Sequence, residues 1–142
     1  MIALLVIASP ASASKPTNKS ANCLSVAALN GATGSTYSKV SVMAGLSAGA
    51  KVCTYTSPHI GSTFVISHAP LAGSSLKNVA KLNAGSDHLT NVSGIGQAAI
   101  RGTGGFDELF VEQGSTVYVF LDNSGTSSLA QLKAAAKLVL HG

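Results

Sequence analysis

Gly45-Leu46-Ser47-Ala48-Gly49 is the stretch of this chain that most resembles reactive chemistry. It has the G-x-S-x-G spacing of a hydrolase nucleophile elbow, and Ser47, Asp122 and His141 follow one another in the order of that class of triad. An elbow needs a strand before the serine and a helix after it. That geometry aims the hydroxyl outward and supplies the backbone N–H groups of an oxyanion hole. Here the motif runs straight into Val52-Cys53-Thr54-Tyr55-Thr56, a run of β-formers. A small-residue loop between two strands accounts for it without chemistry, and Ser47 is expected to be inert.

Gly94-Ile95-Gly96-Gln97-Ala98-Ala99 matches G-x-G-x-x-A. A dinucleotide site built on that motif requires a βαβ unit and an acid about 20 residues later. No strong strand precedes the motif, and Gly102, Gly104 and Gly105 interrupt any helix after it. It reads as a turn with close backbone packing, and no cofactor is expected. His59, His68, His88 and His141 show no metal-ligand spacing, and His88 has only the adjacent Asp87 beside it. No metal site is expected, and no pair of carboxylates is spaced for glycosidase chemistry. The residues point to a non-enzymatic protein.

Residues 1–8 (Met-Ile-Ala-Leu-Leu-Val-Ile-Ala) form an apolar run followed by Ser9-Pro10-Ala11-Ser12-Ala13. A short apolar segment, a helix-breaking proline and an A-x-A pattern are the parts of a signal peptide over 1–13, although no Lys or Arg precedes the run. The run falls short of the roughly 20 apolar residues that span a bilayer, and no other stretch approaches that length. Residues 14–21 read as a flexible leader and 22–142 as one domain, secreted or periplasmic after cleavage. In an exported protein the two cysteines, Cys23 and Cys53, are expected to pair. The bridge would close a loop of about 30 residues, stabilising on the order of 3–4 kcal/mol by the chain-entropy account. Two buried thiols are the alternative. A redox pair is disfavoured because there is no Cys-x-x-Cys.

Charged residues make up only 10% of the 142, against roughly 25% in an average domain, while 46% are hydrophobic. The formal charge is +4. All the acids lie between Asp87 and Asp122, whereas Lys15, Lys19, Lys39, Lys51, Lys77 and Lys81 precede them. A basic surface containing Lys39, Lys51, Lys77 and Lys81 is therefore the candidate docking site for an anionic envelope polymer or small ligand. The plainer alternative is a high pI produced by scarcity of acids. Nucleic acid is disfavoured, because Arg101 is the single arginine and no aromatic–basic interleaving offers a stacking platform.

The elements that must position these residues follow from periodicity. Asn22 caps a helix over Cys23–Asn30 that closes at Gly31. Residues 39–43, 51–57 and 62–68 read as strands, the last two joined by the turn residues Ser57-Pro58-His59-Ile60-Gly61. Ser74 or Ser75 caps a second helix, with Leu76, Val79 and Ala80 inward and Lys77 and Lys81 outward. Residues 107–112 and 116–122 form a hairpin turning at Gln113-Gly114. A last amphipathic helix starts near Thr126 or Ser127, its apolar stripe formed by Leu129, Leu132, Ala136, Val139 and Leu140. Helix, strands, helix, strands, helix predicts an α+β fold: an antiparallel sheet with helices packed on one face.

Asn22-Cys23-Leu24-Ser25, Val52-Cys53-Thr54-Tyr55, Val92-Ser93-Gly94-Ile95-Gly96-Gln97-Ala98-Ala99 and the Leu109–Val119 hairpin form a recognisable series. The chain resembles small bacterial secreted proteins and lipoproteins of unknown function, best known in actinobacteria. It is broadly similar to the extracellular sensor domain of a mycobacterial receptor kinase. The resemblance implies an α+β domain with Cys23 and Cys53 bridged and a role outside the membrane, as a binding or sensor module of the cell envelope. A structural or interaction protein held by the basic surface is the alternative; a serine hydrolase using Ser47 is the remote one. The lipid-attachment cysteine of the lipoprotein members is missing. Cleavage after Ala13 predicts that Ser14 is the mature N-terminus. Intact-mass measurement of the exported protein checks this, and a retained Met1 would refute export by this route.

Overall fold

The computed structural model describes residues 23–45, 48–58, 62–84, 88–124 and 127–141. The expected signal segment and leader, together with Ser47, His59 and Asp87, lie outside the described residues. The elements run α1 (Val26–Thr33), β1 (Lys39–Ala44), β2 (Lys51–Thr56), β3 (Thr63–Pro70), α2 (Leu76–Ala84), β4 (His88–Val92), β5 (Ala98–Thr103), β6 (Asp107–Gln113), β7 (Thr116–Asp122) and α3 (Leu129–His141). The strands form one seven-stranded antiparallel sheet in the order β1-β2-β3-β7-β6-β5-β4. Two meanders, β1–β3 and β4–β7, thus meet where β3 pairs with β7. This is the expected α+β class, with the Cys23–Cys53 bridge formed.

The helices do not share one face. In β6, Leu109 and Val111 join a core with α1 and α3, while Phe110 between them joins Leu76, Ala80 and Ala84 of α2. Side chains alternate along a strand, so α2 lies on the face opposite α1 and α3. The topology requires some such crossing. To get from β3 in the middle of the sheet to β4 at its edge, the chain must pass over β7, β6 and β5, and α2 is that passage.

The α1/α3 face is held by specific ties. Ser25 caps α1 by accepting from the Ala28 N–H, and Gly34 ends it at φ 70°. The expected start at Asn22–Cys23 and stop at Gly31 are therefore displaced by about a turn. Cys23 and Leu24 are held outside the helix, because Cys23 is bridged to β2 and the Leu24 carbonyl accepts from the Tyr55 hydroxyl at 2.8 Å. Burial pushes the Tyr55 hydroxyl pKa up, so it stays a donor. The cap of α3 is Ser128, slightly beyond the expected Thr126 or Ser127. Ser128 Oγ accepts from Gln131 N–H while Gln131 Oε1 accepts from Ser128 N–H, a complete capping box. Gln131 Nε2 then donates to the Thr33 carbonyl at 2.7 Å, joining the start of α3 to the end of α1.

Two strands were not expected from the sequence, β4 and β5. The glycine motif begins in the turn of their hairpin, residues 93–97, and runs into β5 at Ala98. Ile95 plugs into the α1/α3 core. Gly96 sits at φ 61° against β6, where a Cβ would stand 2.5 Å from Val111 Cγ1 and 2.8 Å from the Glu112 carbonyl oxygen. Close backbone packing, as expected, explains that glycine.

Asp122 ends β7 and is only 1% exposed. It accepts from Ser124 N–H (2.9 Å), Ser124 Oγ–H (2.6 Å) and Ser127 N–H (2.7 Å), tying the strand to the turn that leads into α3. Burial pushes its pKa up, but these hydrogen bonds outweigh burial and leave it below the ordinary carboxylate range. A carboxylate with a depressed folded pKa stabilises the fold above its unfolded value, near 4. That contribution is lost as pH falls through the folded value. Thermal unfolding of the wild type should therefore steepen in its pH dependence below about pH 4. Asp122→Asn should lose about 2 kcal/mol at neutral pH and show a shallower acid dependence. Equal stability of the two proteins at neutral pH would refute this anchoring role.

Candidate functional site

Among the described residues, the α2-face helix covers Ile100, Phe110 and Val117 and reaches Ala69 at the end of β3, but its packing does not extend over β1 and β2. On that face the register continues Phe110 through Val119, Ser67 and Val52 to Met43, one row across the sheet. Where α2 stops and the open strands begin, a concave pocket of about 410 Å³ forms. Val52, Ser67, Ala69, Val117 and Val119 line its floor, and Val79 and Asn83 of α2 form a wall. Gly45 and Ala50 close its far side. These two residues shut the β1–β2 hairpin, the Gly45 N–H donating to the Ala50 carbonyl at 2.9 Å.

The volume falls in the range of small-molecule sites, and the lining has their usual character: mostly aliphatic, with few polar groups. Those groups are the Ser67 hydroxyl and the Asn83 amide. Asn83 donates one N–H to the Val79 carbonyl at 2.8 Å, which holds the amide at the pocket wall. Lys51 and His68 also border the pocket. Their pleat position assigns both side chains to the opposite face, where His68 packs on Tyr118 with ring centroids 5.7 Å apart. A second apolar depression of about 490 Å³ lies between α1 and α3, lined by Ala27, Ala28, Gly31, Ala32, Ala134, Lys137 and Leu138. Of these side chains only Lys137 carries a polar group to orient a ligand, so the α2 pocket is the stronger candidate.

The four candidate lysines are dispersed. Lys39 pairs with Thr56 and Lys51 with Ala44, at opposite ends of the β1–β2 ladder and on opposite faces of the sheet. Lys77 and Lys81 are neighbours on the exposed side of α2. At 100° per residue they point about 160° away from the Val79–Asn83 wall, so they do not line the pocket. Two of the acids are committed elsewhere. Asp107 and Asp122 sit opposite each other on β6 and β7, but Asp107 is paired with Arg101 at 3.1 Å and Asp122 with the serines of its turn. None of His, Cys, Asp or Glu gathers into a group of three that could hold a metal among the described residues.

Apart from Gly45, which opens the G-x-S-x-G stretch, and Lys51 at the border, the pocket residues carry no motif or charge signal, so sequence reasoning missed them. Its signal was indirect: an apolar Val79 on the flank of a helix too short to cover the sheet. The chain matches no protein-family model, and neither a curated protein nor a solved structure shows significant similarity to it.

The G-x-S-x-G motif occupies the loop between antiparallel β1 and β2. A strand, not a helix, follows the serine, and Asp122 accepts from Ser124 and Ser127 in the turn before α3. A fluorophosphonate probe should leave Ser47 unlabelled. Stoichiometric modification there would overturn the non-catalytic reading of the motif.

Proposed function

We propose that this is an exported, non-enzymatic binding module of the cell envelope that takes a small, largely apolar ligand in the pocket between α2 and the β2–β3–β7 strands. The observation that carries the reading is the aliphatic pocket of about 410 Å³ with Ser67 and Asn83 as its two side-chain polar groups. An apolar body on Val52, Val79, Val117 and Val119 leaves water favourably, and one donor–acceptor group on the ligand meets the serine and the amide. The disulfide supports an extracytoplasmic setting, and no described helix is long and apolar enough to cross a membrane. A second reading, docking of an anionic envelope polymer, draws on Lys77 and Lys81, which are adjacent and exposed.

Decanoate is a suitable probe: an aliphatic chain with one polar head. In a methyl and amide NMR titration it should give saturable shifts at Val52, Val79, Val117 and Val119. Val79→Trp, which fills the pocket from its wall, should abolish them while leaving the rest of the spectrum in place. Absence of shifts, or shifts confined to the α1–α3 depression, would sink the pocket reading. An anionic polysaccharide added in a separate titration should move the signals of Lys77 and Lys81 only if the second reading holds.

A further inference from the structure

We infer that the free edge of β1 is a strand-pairing interface between two copies of this chain, which dimerise antiparallel about Val42. The inference is independent of the pocket.

No described strand lies beyond β1 in the sheet. An edge strand presents a row of unpaired backbone donors and acceptors, and natural edges are blunted by charge, proline, bulges or cover. The other edge, β4, exposes His88, Thr90 and Asn91 and turns Leu89 and Val92 inward. The β1 edge is different. After Lys39 it reads Val40-Ser41-Val42-Met43-Ala44 with no charge and no proline. Val42 is 59% exposed and Met43 63%, on opposite faces. Neither α1 nor α3 on one side, nor α2 on the other, overhangs them.

What can occupy such an edge is restricted by its chemistry, because only another extended backbone satisfies alternating N–H and C=O groups. The register narrows it further. The Gly45 N–H bonds the Ala50 carbonyl, so Gly45 and Ala50 form a hydrogen-bonded pair, and by alternation Met43 and Ser41 also point their backbone groups at β2. Val40, Val42 and Ala44 therefore direct theirs outward. A second β1 running antiparallel matches all three at once when Val42 faces Val42 of the copy and Val40 faces Ala44. Each pair exchanges two hydrogen bonds. Sliding the copy by two residues leaves one of these pairs unmade. In the matched register Val42 packs on its twin, and Met43 lies beside Ser41 of the copy. Each Lys39 falls at a far end of the ladder, about 20 Å from its twin at 3.3 Å per residue and beyond the screening length at physiological salt. The two Lys39 charges thus do not oppose each other across this pairing. The contact is isologous and closes after two copies. A short edge buries less than a standard interface, so the dimer is weak and concentration-dependent.

Sedimentation equilibrium of the exported, disulfide-bonded protein should show a monomer–dimer equilibrium between micromolar and millimolar concentration. Val42→Lys sets like charges face to face on the two-fold axis and should leave a monomer with unchanged circular dichroism. Leu82→Lys, at an exposed apolar position on α2, should leave the dimer intact. Hydrogen-bonded partners have Cα atoms about 5.5 Å apart, within disulfide range, so Val42→Cys should cross-link into a covalent dimer on mild oxidation and Leu82→Cys should not. This cross-link carries the test alone if the lysine variant fails to fold. A wild type that is monomeric throughout, or a dimer that survives Val42→Lys, would overturn the inference. So would a wild type that never dimerises yet shows amide shifts along β1 on adding an alternating Val–Thr hexapeptide, which would assign the edge to a foreign strand.

Discussion

Coverage governs this molecule. Seven strands at about 4.8 Å spacing make a sheet some 29 Å from first to last, whereas a helix with its side chains is about 10 Å across and shields roughly two strands. The described residues form three helices to spread over two faces. Two of them go to one face and one to the other, so the α2 face must remain open over much of its width. Which strands stay open is decided by topology. The passage from β3 to β4 lays α2 over the β4–β7 meander, where Ile100, Phe110 and Val117 bury under Leu76, Ala80 and Ala84. Among the described residues, cover on that face stops at the end of β3, and a concavity is the geometric result at the boundary.

The doubly covered strand is β6. Leu109, Phe110 and Val111 are consecutive and fully buried, so both faces of the sheet are dry at this point. From β6 outward the cover thins, and the chain compensates with ties of other kinds. On the α1/α3 face these are the Cys23–Cys53 bridge, the Tyr55–Leu24 hydrogen bond, Gln131 reaching Thr33, and Asp122 gathering the turn before α3. Asn30 adds another by bonding both the N–H and the carbonyl of Tyr37, which holds that ring in the core against Phe64 with centroids 6.1 Å apart. These directional contacts hold short helices that would not be stable by propensity alone.

How much of this the sequence displays depends on where the information resides. The β6–β7 hairpin is legible because alternating valines and leucines flank a glycine turn, and α3 because its apolar stripe is long. The disulfide is legible from cysteine count and export context. β4 and β5 are not, because Thr90 and Asn91 sit on an edge that needs little apolar character, and Ala98, Ala99 and Gly102 are weak β-formers made strand-like by their neighbours on β6. The division of helices between faces is hidden for the same reason: Leu109-Phe110-Val111 reads as one apolar run, and a run does not say which helix lies above and which below. The pocket is the least legible feature, since it arises from what fails to cover Val52 and Ser67 rather than from any residue placed to make it.

The pocket and the β1 edge then have one origin. With 10% charged residues the chain has few means of blunting exposed strands, and none of its acids lies on β1, β2 or β3. The same meander that no described helix covers beyond the end of β3 on the α2 face carries no charge along β1 after Lys39. A sheet in that condition has two ways to satisfy its surfaces. An apolar molecule can fill the concavity beside α2, or a strand can continue the ladder past β1. The two use different chemistry, burial of aliphatic surface in one and backbone hydrogen bonding in the other, and they occupy different strands. One chain can therefore accommodate both at once. A dimer formed through β1 would carry two pockets on the same side of a continuous fourteen-stranded sheet, because residues paired across an antiparallel ladder share a face.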